Sequence, residues 1–495
     1  MIAISGSDLG HFVPEVILLA AAVAAMFVHL FVKKGGRRGA GYVALAGIGA
    51  AGLALGLTPP SADALFGGHL TADSFALFFK AAVLAAGALA IVLAFRFFDV
   101  ERSEPGEVYC LALLSMVGMM AAVSATDIVT TYVSFELFAI PSYVLAGIFK
   151  KERRSSEAGI KYFFLGTLSS AVMLLGMALV FGLTGATAYA VAGPALAGAN
   201  GLAALVAMSL FFVGLFFKAA FVPFHMWAPD VYEGAPTPLV IFLSTAPKAA
   251  VIAVLVRAMT VLFGGYTAEG SYILQAVALA TMFWGNLAAL TQKSVKRMLA
   301  YSSIAQAGYL AIGLAAWGES ARMAVPFYVA VYVVMNAAAF GLILLVDGGG
   351  RFDESVDGLR GLVRRAPVAA ASILVVLLSL VGIPPTAGFM GKYFLFAAAV
   401  DRGLVLLAAA GALNSAISLF YYFRIGKAMF LEEADGPAPG AVHASPAAQA
   451  SDRPAKRAAG VSRLVTVVLV LSAAVLLLFG LLPSLLASLA ASARL

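Results

Sequence analysis

Five charged residues in this sequence lie where charge is expensive. Glu136, Lys161, Lys218, Lys248 and Lys392 each fall inside a long apolar stretch. At the centre of a membrane helix an ionisable side chain costs about 2.5–3.5 kcal/mol on insertion scales. Such residues must face protein or trapped water, because lipid cannot solvate them. Their neighbours point the same way. Pro141 and Pro223 lie shortly after Glu136 and Lys218, Pro247 directly precedes Lys248, and Pro384 and Pro385 precede Lys392. Proline removes a helical hydrogen bond and opens the backbone. In a membrane that opening persists only against protein or water. Broken helices carrying charge at depth mark ion-translocating folds.

The chemistry such side chains can do together is proton transfer. Burial disfavours the charged form of a lysine, and a nearby carboxylate restores it. A buried lysine can therefore take up or release a proton as a carboxylate approaches or retreats, with no cofactor. Arginine could not, because it does not give up its proton. Each residue also has a blander reading. Glu136 and Lys218 could form a static clip between helices, and Lys161, about a turn inside its stretch, could reach the cytoplasmic surface. Lys80 and Arg257 lie nearer the outer ends of their stretches and are expected to snorkel outward. His225, within VPFHMW, reads either as a proton relay at a helix end or as a hydrogen-bonded histidine. Ser302, Ser303, Gln306 and Tyr309 either line a water chain or join helices by hydrogen bonds.

The elements that must position these residues follow from composition. Of the 495 residues, 62% are hydrophobic and only 12% charged, with a mean hydropathy of +0.98. Soluble domains carry about 25% charged residues, so much of this surface must face lipid. The net charge of +7 arises from short basic runs between apolar stretches, a topology signal that argues against nucleic acid. Stretches of about 20 apolar residues, enough to span a bilayer, occur near 12–32, 40–57, 74–95, 107–124, 126–149, 157–183, 203–226, 236–262, 272–291, 299–316, 323–346, 367–399, 404–423 and 464–488. The expectation is an all-α polytopic membrane protein of about fourteen transmembrane helices.

Charge placement tests that count. With the N-terminus outside, the cytoplasmic loops hold Lys33, Lys34, Arg37 and Arg38; Arg96 and Arg102; Lys150, Lys151, Arg153 and Arg154. They also hold Lys293, Lys296 and Arg297; Arg351, Arg360, Arg364 and Arg365; and Arg424, Lys427, Arg453, Lys456, Arg457 and Arg463. Only Arg322, Arg402 and Arg494 fall outside. Positive charge favours the cytoplasmic side, so both termini are expected on the outer face. Met1 to Glu15 has no basic n-region, and the first stretch reads as a retained helix. Residues 432–460, rich in Pro, Ala and Gly, read as a flexible cytoplasmic linker. No soluble catalytic domain is evident.

The seventh and twelfth stretches are both proline-broken and both carry a lysine. They are five helices apart, and a five-helix unit repeated once must return inverted. Helices 4–8 and 9–13 are thus expected to be inverted repeats with helices 7 and 12 discontinuous. The organisation expected is 1–104 for helices 1–3, 105–265 and 266–430 for the repeats, 431–463 for the loop, and 464–495 for helix 14. The GxGxxG match at Gly47–Gly52 follows no strand and lies in a membrane stretch, so it is a packing surface. The single cysteine, Cys110, excludes a disulfide framework or a cysteine-ligated cluster built by this chain alone.

The motifs around these residues are specific. FELFAIPSY at 135–143, SSEAGIKYFFLG at 155–166, FFKAAFVPFHMWAPDVYEGAPTP at 216–238, STAPKAA at 244–250, KSVKRMLAYSSIAQAGY at 293–309 and LSLVGIPPTAGFMGKYFLFAAAV at 378–400 occur in this order. Together they resemble the antiporter-like membrane subunits of respiratory NADH:quinone oxidoreductase across most of residues 105–430. APDVYEGAPTP and the lysine at 392 are most similar to the N-type branch. The resemblance implies that Glu136 and Lys161 tune Lys218, that Lys248 is the central relay, and that Lys392 leads to the far side. It implies a bacterial inner-membrane location among other antiporter-like and small membrane subunits. NADH, FMN, iron–sulfur clusters and quinone would sit elsewhere in the complex, with no cofactor on this chain. Many relatives carry histidine where this chain has Gln306, so a relay there would need water. The rival readings are a subunit of a multi-component sodium/proton antiporter and a purely structural member.

Overall fold

A computed structural model describes residues 6–32, 36–101, 107–345, 352–433 and 461–495. Lys33, Lys34, Arg102, Arg351 and the segment 434–460, with Arg453, Lys456 and Arg457, lie outside the described residues.

Helices account for nearly all of the fold. The principal ones begin with α1 (Val13–Phe31), α2 (Gly36–Leu57), α3 (Ser74–Glu101), α4 (Glu107–Ser124), α5 (Ile128–Ala146) and α6 (Arg153–Thr184). The seventh crossing has two parts, α7a (Gly201–Ala219) and α7b (Trp227–Gly234). Then come α8 (Thr237–Arg257), α9 (Thr267–Leu290), α10 (Val295–Ala315) and α11 (Glu319–Gly341). The twelfth crossing comprises α12a (Pro367–Val381) and α12b (Ala387–Asp401), followed by α13 (Val405–Phe430) and α14 (Arg463–Leu481). Among the described residues, 13 helices are long and apolar enough to span a membrane. The 15-residue helices α12a and α12b are each too short to be counted among them. A small antiparallel hairpin, β1 (Ser61–Leu65) with β2 (Leu70–Ala72), joins α2 to α3.

Local chemistry sets the helix ends. The Asp127 side chain accepts from the Val129 and Thr130 amides and starts α5, and Asn200 does the same for α7a. Ser294 caps α10. Each satisfies amides that a helix start leaves free. Several boundaries differ from expectation. The seventh stretch ends its first helix ahead of Pro223, at Ala219; Ala220 turns left-handed at φ 59°, and the chain becomes helical again at Trp227, one residue past the 203–226 bounds read from the sequence. The last helix halts at Leu481 and restarts over Pro483–Ser492, because proline cannot continue a hydrogen-bonded turn. The Ser294 cap starts α10 earlier than the apolar pattern does, which moves Lys296 and Arg297 from loop to first helical turn.

Helix α8 is buried along its whole length, and α10 and α11 nearly so, whereas α1, α2, α6, α9, α13 and α14 turn apolar faces outward. The chemistry-bearing residues thus gather around a central trio of helices. Two expectations are corrected here. Lys80 does not snorkel: its ammonium is 2.7 Å from Glu15 of α1, with both side chains buried. Nor does Arg257, whose guanidinium grips Asp73 at the start of α3 through bonds of 2.7 and 3.0 Å. Snorkelling avoids an uncompensated buried charge, and a carboxylate on a neighbouring helix removes that need.

Candidate proton-transfer site

Lys218 lies in the last turn of α7a, fully buried. Its ammonium donates to the Tyr162 hydroxyl at 3.2 Å. It also lies 4.3 and 4.5 Å from the ring centroids of Tyr143 and Tyr162, with Phe135 and Phe138 at 5.9 and 5.7 Å. Four aromatic faces therefore surround one cation, and ring quadrupoles attract it without fixing its charge as a carboxylate would. The cage needs Gly166: a Cβ there would overlap the Tyr143 ring. The Tyr143 hydroxyl is buried with no hydrogen-bond partner among the described residues.

Glu136 is half-buried on α5 and accepts a short hydrogen bond from Ser170 of α6. It forms no direct ion pair with Lys218 among the described residues; the ammonium instead donates to the Tyr162 hydroxyl and faces the Tyr143 ring. The static-clip reading is therefore corrected, since aromatic rings, not a carboxylate, hold the lysine. Lys161 differs from the other lysines. Its side chain is 40% exposed and pairs with Glu157 at 2.8 Å and Asp230 at 2.7 Å. Of the two readings of Lys161, a buried charge or one that reaches the surface, the 40% exposure is in line with the second, with α6 holding it beside α7b.

Lys248, midway along α8, donates to the carbonyl and hydroxyl of Ser303 on α10 at 2.8 and 2.6 Å. The Ser303 hydroxyl meets Tyr332 of α11 at 2.8 Å, and Tyr332 donates to the Ser244 carbonyl at 2.7 Å. One turn along α10, Gln306 accepts from Tyr328 and donates to the Leu380 carbonyl at 2.9 Å. Ser302 bonds Tyr422. Lys392 completes the series. From α12b it reaches back to the Leu380 and Val381 carbonyls, each at 2.9 Å, to Ser415 at 3.1 Å, and lies 4.1 Å from the Tyr309 centroid. Those two carbonyls end α12a, where helical acceptors are left free and the helix dipole is negative. Gly382 closes that end at φ 90°, against the Lys392 side chain.

Lys218, Lys248 and Lys392 share one property: among the described residues none has a carboxylate partner, whereas the buried Lys80, Lys296 and Arg257 each have one. His225 is buried against Trp284, with ring centroids 5.7 Å apart, and Nδ1 has no partner among the described residues; it bonds none of the three lysines. The structure adds residues that the sequence reading did not select. They are the cage residues Tyr143 and Tyr162, the hydroxyls of Tyr328, Tyr332 and Tyr422, and the acids Asp230 and Glu233. A signal existed for some. Tyr328 and Tyr332 are four apart and share one face of α11.

Buried lysines spaced through a polytopic bundle, with helix breaks beside two of them, are the architecture of antiporter-like membrane proteins. Residues 125–418 match the family model described as NADH:quinone oxidoreductase/Mrp antiporter, TM. NADH-quinone oxidoreductase subunit N of Trichlorobacter lovleyi is 41% identical over 421 residues, covering 84% of this chain and 86% of that protein. A chain of respiratory complex I from Thermus thermophilus superposes with a TM-score of 0.78 at 32% identity, over 97% of this chain and 99% of that one. A chain of the Mrp complex from Dietzia sp. shares the fold, with a TM-score of 0.81 at 23% identity over 97% of both chains. The chain belongs to the NADH-quinone oxidoreductase subunit N family.

Proposed function

We propose that this chain is the proton-translocating N-type membrane subunit of a bacterial NADH:quinone oxidoreductase, coupling quinone reduction in neighbouring chains to proton movement through its own lysines. The observation that carries the reading is the series Lys218, Lys248 and Lys392, three ammonium groups buried against rings, hydroxyls and carbonyls with no carboxylate partner among the described residues. An uncompensated charge at membrane depth is costly to keep, so these sites suit a proton that comes and goes. NADH, FMN, iron–sulfur clusters and quinone belong to other chains of the complex, and the redox step reaches this one as electrostatic work. A disturbance at the Glu136 side of the bundle alters the field at the Lys218 cage. Lys218 then drives its proton toward Lys248, and Lys392 exchanges with the opposite face. Lys161 acts on Lys218 from the basic end of the bundle, and His225 is a candidate relay at the helix break. Helices 4–8 and 9–13 form the two inverted units, within residues 105–265 and 266–430. The basic loops face the cytoplasm and both termini face outward.

The deciding experiment is Lys218→Ala in the assembled complex, reconstituted in vesicles, with protons moved per NADH oxidised as the readout. A lowered ratio with intact assembly supports the reading. A normal ratio in the assembled variant overturns it. The sodium/proton antiporter alternative predicts cation-dependent exchange with no requirement for NADH or quinone, and the same vesicles without NADH test it.

A further inference from the structure

Short helix α7b occupies an unusual position. Its first residue, Trp227, stacks on Tyr162 with centroids 4.3 Å apart and planes 11° from parallel. Its indole nitrogen donates to the Phe217 carbonyl at 2.8 Å. Tyr162 is the residue that bonds Lys218, so Trp227 closes the cage from the α7b side. Further along the same helix, Tyr232 approaches the Leu243 carbonyl at 3.4 Å, next to the Ser244 carbonyl that accepts from Tyr332, which in turn meets Ser303, the partner of Lys248. One short helix thus touches the surroundings of two lysines.

Its acids tie it down from both sides. Asp230 is 2.7 Å from Lys161 of α6 and 3.2 Å from Arg297 of α10. Glu233 meets the same Arg297 at 2.5 Å. At its end the Ala235 carbonyl accepts from Lys296, itself paired with Glu354 at 2.8 Å. Among the described residues, Asp230 is therefore the one carboxylate shared between a cation of α6 and a cation of α10. A helix of eight residues has little internal hydrogen bonding to hold it, so these contacts fix its place.

We infer that α7b is a hinged cover over Lys218 on the basic face of the bundle, and that Asp230 is the positioning residue that latches it shut between Lys161 and Arg297. When the latch parts, Trp227 lifts from Tyr162 and water reaches the Lys218 cage. While it holds, the lysine is sealed from that face. The inference rests on the proposed role of Lys218, and its test runs in the resting complex without NADH, so the two readings fail separately.

The experiment measures passive proton leak across vesicles holding the assembled complex, after an imposed pH step and without turnover. Asp230→Asn is expected to raise the leak several-fold, Asp230→Glu to restore tightness, and adding Lys218→Ala to Asp230→Asn to abolish the leak. A general loosening of the bundle would leak whether or not Lys218 is present. Wild-type tightness in assembled Asp230→Asn overturns the inference, as does a leak that persists in the Lys218→Ala background. If Asp230→Asn does not assemble, Glu233→Gln, which removes the charge of the carboxylate closer to Arg297, is read by the same criteria.

Discussion

Gln306 and Lys392 share one acceptor. Both donate to the carbonyl oxygen of Leu380, each at 2.9 Å, from different helices. That carbonyl is available because α12a ends at Val381, leaving its last acceptors without helical donors. Gln306 also accepts from Tyr328, so the amide is committed on both sides and passes no proton itself. Gln306→Leu removes the second donor on Leu380 and leaves the Tyr328 hydroxyl unsatisfied, at a cost of about 1–3 kcal/mol. Lower thermal stability of the complex and a reduced ratio of protons to NADH are the expected results. Gln306→His restores a hydrogen-bonding and titratable group, and is expected to recover pumping better than leucine does.

The Lys218 cage gives a sharper test. Tyr162→Phe keeps the ring that stacks on Trp227 and faces the ammonium, and removes only the hydroxyl at 3.2 Å. A hydrogen bond to a charged group is worth about 1.5–3 kcal/mol. Assembly is expected to survive and proton translocation to fall several-fold, measured in reconstituted vesicles against NADH oxidation. Unchanged translocation would assign the hydroxyl no part in holding the proton.

Much of this arrangement was legible in the sequence because membrane burial penalises charge. Glu136, Lys218, Lys248 and Lys392 stand out against apolar neighbours, and the prolines mark where the seventh and twelfth crossings lose their helical bonds. Partners were not legible. Lys80 and Arg257 read as snorkelling because depth along a helix can be counted from sequence, whereas Glu15 and Asp73 are distant in the chain and meet them only after α1, α3 and α8 pack. The aromatic cage was hidden for the same reason: Phe135, Phe138, Tyr143 and Tyr162 look like ordinary core or interface residues until one cation lies among them. Asp230 looks like a loop acid in APDVYEGAP, and only the fold puts cations of two helices beside it.

Glu136 carries a charge on a half-buried face of α5, hydrogen-bonded by Ser170. Glu136→Gln preserves an acceptor for that hydroxyl and deletes the charge, while Glu136→Ala deletes both. If Glu136 acts through its field on Lys218, the two substitutions impair pumping alike and leave the complex assembled. If it acts as a hydrogen-bond acceptor alone, glutamine retains normal pumping. Proton-to-NADH ratios of the two variants, measured side by side, separate the cases.

The Glu15–Lys80 pair tests whether a buried charge outside the lysine series is structural. Its 2.7 Å contact is fully enclosed and joins α1 to α3, away from the hydrogen bonds of Lys248. Removing one partner leaves the other charge buried without compensation, at about 3–5 kcal/mol, whereas replacing both with apolar residues is often close to neutral. Lys80→Met alone and Glu15→Leu alone are each expected to lower assembly and thermal stability strongly. The double variant is expected to recover most of both, with a wild-type proton ratio. The coupling between the sites, read from the double-mutant cycle, measures the pair. A double variant that assembles fully yet fails to pump would instead place Glu15 and Lys80 on the proton route.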